Sequence, residues 1–239
     1  MDLNHLLPFV STIITFCFAA AVLNRYRLGR KPHSLMWGIG LVLYGIGTLA
    51  EAYLALSWNS TLLRLWYLCG AMLTAAWLGQ GTIYLLIRKP GVANAIAAAL
   101  ALISMVAAVA VFTAPVNGAS FHAGVPISTQ YKDLLGRTGL MIWLTILLNI
   151  YGTLTLVGGA LWSAYLFARK RVLPNRVLGN ILIAVGALLP ASAGTFIRLG
   201  WGDWLYASEL FGAALMFLGF WLATQPQPAD RPARVAARA

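Results

Sequence analysis

Long apolar runs alternate with short polar connectors along almost the whole chain. A helix that crosses the hydrocarbon core of a bilayer needs about 20 mainly apolar residues, and seven runs approach or exceed that length. Their ranges are 6–23, 34–56, 62–87, 92–114, 140–166, 177–199 and 204–224. The pattern predicts an all-α fold, a polytopic bundle of seven transmembrane helices over residues 1–224. Residues 225–239, which are rich in Pro, Ala and Arg, are expected to form a disordered basic tail.

The composition places this bundle in a lipid bilayer. Of the 239 residues, 60% are hydrophobic and 10% are charged, and the mean hydropathy is +0.78. Soluble domains are about 45–50% apolar and about 25% charged, and one soluble core of this size could not bury the excess. We therefore expect a multi-pass protein of a cell membrane.

The net charge of +11 would be typical of a nucleic-acid-binding protein, but its distribution is not. Most of the 17 Lys and Arg residues follow the first, third, fifth and seventh runs, so they lie on alternate connectors. Basic connectors stay on the cytoplasmic side of a membrane. The pattern predicts an outside N-terminus, a cytoplasmic C-terminus and no nucleic-acid partner.

The residues that the common membrane cofactors and reactions require are missing from the runs. Every lysine lies in a connector, which excludes a retinal Schiff base. The three histidines also lie outside the runs, so haem cannot be held between helices, and no His, Cys and carboxylate cluster could hold a metal. Residues 200–203 match the G-x-G-D pattern of intramembrane aspartyl proteases, but no run holds the second aspartate. We expect no catalytic site, no cofactor and no metal.

Ionisable residues inside a membrane are costly and mark function by default. Two acidic residues in the outer parts of runs 2 and 7 and two arginines near the outer ends of runs 3 and 6 would share one layer, if the helices are ordered as in other seven-helix bundles. With two of the neighbouring aromatic residues, the candidate ligand-binding residues are Glu209, Glu51, Arg64, Arg198, Tyr44 and Trp66. They are either the floor and wall of an outward-facing pocket, or structural Glu–Arg ties within an interfacial aromatic belt.

Deeper in the bundle, Gln80 and Asn149 form a candidate polar core. Hydrogen bonds between helices are one role for such amides, and lining a path through the bundle is another. Connector 115–138 is long and contains a helix-like piece, 128–135. It is either a lid over an outer pocket or an ordinary interfacial loop.

Small residues recur every seven positions in several runs, which places them on one helix face and predicts close helix packing. The clearest set in run 6 is Gly179, Gly186, Ala193 and Gly200. Pro190 lies in the middle of the same run and should kink it, because proline removes a backbone hydrogen bond.

Residues 67–86, YLCGAMLTAAWLGQGTIYLL, resemble a segment common in uncharacterised bacterial integral membrane proteins. The layout of seven spans with the N-terminus outside is similar to the seven-helix sensor regions of bacterial histidine kinases. The resemblance implies a bacterial plasma-membrane protein and no particular chemistry. Signalling would need a separate partner, because this chain carries no kinase output domain.

Together these features favour a non-enzymatic, receptor-like sensor or binder of a small or lipidic ligand in an outward-facing pocket. A transporter or channel subunit is one alternative, suggested by Pro190 and the polar core. A structural subunit of a larger membrane complex is another, suggested by small-residue faces on several helices.

Overall fold

A computed structural model describes residues 3–170, 173–200 and 204–225, without the side chains of residues 3–5, 193–194 and 196–198. This part of the chain is helical, apart from an isolated bridge between Val116 and Leu135. The helices are α1 Leu3–Gly29, α2 Pro32–Leu54, α3 Ser60–Leu65, a π-helix Trp66–Leu73, α4 Thr74–Leu86, α5 Val92–Thr113, a 3₁₀ turn Gly118–Ser120, α6 Ile127–Leu134, α7 Gly139–Arg169, α8 Pro174–Arg198 and α9 Trp204–Thr224. Asp203, which closes the G-x-G-D pattern, and the tail from residue 226 lie outside the described residues.

The prediction of seven spans is confirmed. Seven helical segments are long and apolar enough to cross a membrane: α1, α2, the continuous run from α3 to α4, α5, α7, α8 and α9. Their ends differ from the predicted ones by a few residues. The helix-like piece of the long connector is confirmed as α6.

Six spans form a closed ring and the seventh lies outside it. Around the ring α1 contacts α2, α2 contacts α4, α4 contacts α7, α7 contacts α8, α8 contacts α9, and α9 returns to α1. Helix α5 packs against α4 and α7 on the outside of the ring. It exposes a long apolar face that includes Leu102, Met105 and Val109. The ring therefore has an interior bounded by six helices.

The small residues of α8 and α9 hold these two helices together. A Cβ atom on Gly179 would lie 2.5 Å from the carbonyl oxygen of Gly219, and one on Gly186 would lie 2.8 Å from that of Gly212. Only glycine allows such close backbone approach, so the predicted packing role of these residues is confirmed. Gly200, at the end of the stripe, has no neighbour within 4 Å of a Cβ position.

Helix α8 continues through Pro190. Proline cannot donate to the carbonyl four residues earlier, which is that of Gly186. That oxygen instead faces α9, where a Cβ atom on Gly212 would lie 2.7 Å away. The oxygen left without its usual donor thus lies against the close α8–α9 packing.

The π-helix in the third span was not predicted. Its wider turns follow α3 directly, and Thr74 Oγ1 donates to the Cys69 carbonyl at 2.7 Å, five residues earlier. Gly47 lies against the same segment, because a Cβ atom there would come within 2.8 Å of the Gly70 Cα atom. Short π segments are frequent at functional sites, but the periodicity of apolar residues carries no signal for them.

Candidate functional site

The long connector is folded onto one end of the ring, here called the loop end. Backbone hydrogen bonds join Asn117 to Leu134 and Gly136 to Pro115, both at 2.9 Å. Gln130 in α6 ties the connector to itself, because its side chain accepts from the His122 amide and donates to the His122 carbonyl, both at 3.0 Å. The connector is therefore a packed cap.

Aromatic side chains fill the space beneath this cap. The rings of Trp66 and Tyr67 lie 5.5 Å and 5.8 Å from the ring of Tyr131 in α6. Trp58 lies 5.3 Å from Phe121 in the same connector. Trp66, predicted to wall an open outer pocket, is thus in contact with the cap and only 7% exposed.

Arg64 makes its contact at the loop end of α5. Its guanidinium donates to the Ala114 carbonyl at 3.0 Å, just beyond the last residue of that helix. A cation at a helix C-terminus interacts favourably with the helix dipole. The interactions of Arg64 that the structure describes include neither predicted acidic partner, so it anchors α5 to the third span.

Glu51, Glu209 and Tyr44 are brought together between α2 and α9. The Tyr44 hydroxyl donates to the backbone carbonyl of Glu209 at 2.9 Å. The Glu51 side chain is 1% exposed, the Glu209 side chain is half-buried, and the two carboxyl groups lie close enough to interact. The side chain of Arg198, the other predicted member of the layer, lies outside the described set.

The two core amides bond between helices. Gln80 donates to the Ala93 carbonyl in α5 at 2.9 Å and accepts from the Tyr151 hydroxyl in α7. Asn149 donates to the Ala71 carbonyl in the third span at 2.8 Å. Both amides thus hydrogen-bond to neighbouring helices through the groups that would line a polar path.

A cavity opens at the other end of the ring, here called the basic end because the connectors after α1, α4 and α7 lie there. Its volume is about 520 Å³, and all six ring helices contribute to its wall. Deep inside the ring the lining is apolar. The residues of this inner wall are Phe18, Val22, Trp37, Leu41, Leu78, Leu156, Met216 and Phe220.

Positively charged side chains surround the mouth of this cavity. They are Arg25, Lys31, Arg88, Lys170 and Arg176. His33 also lines the mouth, and its ring meets that of Trp37 edge-on at 5.3 Å. No acidic residue is among the described residues that line the cavity. The mouth therefore attracts anions, while the interior favours hydrocarbon.

Small side chains on α7 form part of the cavity wall. Gly159, Ala160 and Ser163 line it beside larger residues of the same helix such as Leu156 and Phe167. In the sequence, the basic residues of this end indicate orientation, and nothing in their spacing indicates that they surround a cavity. The small residues of run 5 predict packing, and only the three-dimensional arrangement distinguishes a contact from a gap.

No protein-family model, no curated protein and no solved structure matches this chain.

Proposed function

We propose that this chain is a membrane-embedded, non-enzymatic binding protein for an amphiphile that has an acidic headgroup and an apolar chain. The observation that carries the proposal is the cavity at the basic end. Its interior is apolar and opens through a positively charged mouth. Ligand sites are typically concave, mostly apolar and about 300–1,000 Å³ in volume, with a few polar groups that fix orientation. This cavity has those properties.

The two parts of the cavity match the two parts of such a ligand. Arginine and lysine pair with carboxylate or phosphate oxygens through charge-assisted hydrogen bonds. Each methylene group that leaves water for an apolar interior contributes about 0.8 kcal/mol. A soluble anion would use only the mouth, and a neutral hydrocarbon only the interior, whereas an acidic amphiphile uses both.

The position of the mouth supports entry from the membrane surface. Its basic residues lie at the ends of spans, where long cationic side chains reach the headgroup region. By the distribution of positive charge this is the cytoplasmic side of what we take to be a bacterial plasma membrane. The proposal therefore moves the ligand from the outward-facing pocket expected from sequence to the opposite end of the ring.

Binding of a fluorescent long-chain fatty acid to the purified protein in a non-ionic detergent tests the proposal. The methyl ester of the same probe is the matched control, since it keeps the chain and loses the charge. We expect the ester to bind at least tenfold more weakly, and tenfold corresponds to about 1.4 kcal/mol. A monoacyl phosphate as competitor distinguishes a carboxylate-selective mouth from one that takes any acidic headgroup. Equal binding of acid and ester, or no binding of either, would refute the proposal.

A further inference from the structure

The Glu51–Glu209 contact is not part of the amphiphile site, because neither residue lines the cavity. Glu51 lies on α2 and Glu209 on α9, in the half of the ring near the loop end. Both carboxyl oxygens of Glu51 are buried and accept from no donor among the described side chains, and the same holds for Oε2 of Glu209. Burying unpartnered carboxylate oxygens in a membrane carries a large desolvation cost. Two ionised carboxylates here would therefore lack a compensating charge among the described residues.

The contact itself indicates how the charge is reduced. An ionised carboxylate only accepts hydrogen bonds, and a protonated one also donates. Two carboxyl groups in contact can therefore form a hydrogen bond only when one of them holds a proton. Two adjacent carboxylates with little access to water also repel each other strongly, so that such pairs share a proton in known enzymes.

Neutral polar groups lie on α1, the helix that packs against both α2 and α9. On α1, Ser11 and Thr15 are buried and their hydroxyl groups have no partner among the described residues. They share a helix face with Phe18, whose ring stacks on Phe217 of α9 at 5.0 Å, so this face is turned towards α9. These hydroxyls add polarity without adding charge.

The remaining neighbours on α2 and α9 supply no positive charge. Thr12 on α1 bonds to Thr48 on α2 at 3.1 Å, which brings α1 against the same stretch of α2. The phenol of Tyr44 is neutral and donates to the Glu209 backbone. Tyr206, one turn before Glu209, is the other titratable residue on this part of α9 and is buried. The described contacts of the two carboxyl groups include no Arg, Lys or His side chain.

We propose that Glu51 and Glu209 form a proton-binding site inside the membrane, in which one proton is shared between the two carboxyl groups at neutral pH. The proton stabilises the side-chain contact between Glu51 on α2 and Glu209 on α9. Its release leaves two like charges at that contact and favours separation of the two carboxyl groups. The site is independent of the amphiphile cavity, although Tyr44 lies one helical turn beyond Leu41 of the cavity wall, on the same helix.

Infrared spectroscopy of the protein in lipid nanodiscs at neutral pH tests the proposal. A protonated carboxylic acid has a carbonyl stretching band that an ionised carboxylate lacks. The chain has only 6 Asp and Glu residues, so the region is uncrowded. We expect the band in the wild type, its loss in the Glu51→Gln, Glu209→Gln double variant, and its retention in Asp133→Asn, which removes an exposed carboxylate from α6.

Glutamine keeps the size of the side chain and its capacity to hydrogen-bond, so the double variant should retain the α2–α9 contact. If it is not recovered folded, the two single variants replace it, and the band must change in both. Absence of the band from the wild type would overturn the proposal, and this is also the result expected if Arg198 formed an ion pair with the carboxylates. A band that survives the double substitution, or that disappears on addition of Na⁺ at constant pH, would overturn it too.

Discussion

The two ends of the six-helix ring differ, because one is covered by a folded connector and the other is open. At the loop end, connector 115–138 folds into a cap, and its rings meet those of Trp58 and of the third span at 5.3–5.8 Å. At the basic end the connectors are short and leave a cavity of about 520 Å³. The capped end buries its aromatic residues, while the open end presents positive charge.

This difference shows that a long loop and a cluster of aromatic residues do not make a pocket. At the loop end the long loop packs directly on the aromatic residues, as in the contact of Trp66 with Tyr131. At the basic end a cavity remains among the six helices, with small side chains of α7 such as Ala160 in its wall. Substitutions at the loop end should therefore change stability, and those at the basic end should change binding.

The largest effect is expected at the loop end. Trp66→Ala removes a ring that is 7% exposed and packs against Tyr131, so the free energy of unfolding should fall by about 3–5 kcal/mol. Trp143→Ala is the control, because Trp143 is 65% exposed on α7 and should change stability much less. Denaturant unfolding in detergent measures both. Similar losses in the two variants would mean that the cap does not pack as described.

A smaller loss is expected within the cap itself. Gln130→Ala removes the hydrogen bonds to His122 and one to the Val125 carbonyl at 2.8 Å. Leaving those backbone groups unpaired should cost about 1–3 kcal/mol and make residues 115–138 more sensitive to limited proteolysis. Lys132→Ala, an exposed substitution in the same helix, should not. Because the ends are separate, amphiphile binding should be unchanged in both variants, and a loss of binding in Gln130→Ala would contradict that separation.

Two adjacent glycines on α7 test the packing beside the cavity. A Cβ atom on Gly159 would lie 2.3 Å from Cγ2 of Thr82 on α4, whereas one on Gly158 would have no neighbour within 4 Å. Gly159→Ala should destabilise the protein by about 1–3 kcal/mol through overpacking. Gly158→Ala should be neutral or gain up to about 1 kcal/mol from better helix propensity. Thermal unfolding of the two variants in one detergent tests this prediction. Equal unfolding midpoints would refute the close α4–α7 contact.

The sequence was sufficient for the spans because apolar length is a strong signal. It also identified the α8–α9 contact, since glycines such as Gly186 recur with the period of a helix face. The sequence did not show that Glu51 meets Glu209 and that Arg64 lies apart from both. These positions depend on the rotation of each helix about its axis, which is set by packing with its neighbours. For the same reason the sequence could not show that basic residues used to orient the chain surround a cavity.

The central claim is that the basic end binds an acidic amphiphile through the charges at its mouth, and matched charge removal tests it most directly. One triple variant removes cavity-lining charges: Arg25→Gln, Arg88→Gln and Lys170→Gln. The other removes the same number of charges from the same connectors, at residues that do not line the cavity: Arg27→Gln, Lys89→Gln and Arg169→Gln.

Binding of the fluorescent fatty acid to these two proteins is the decisive measurement. Both variants lose equal net charge at the same end, so general attraction of anions and membrane orientation are affected alike. The account predicts that the lining variant binds at least tenfold more weakly, a loss of about 1.4 kcal/mol or more, while the control variant binds like the wild type. Equal affinities in the two variants would contradict a ligand site at the mouth of the cavity.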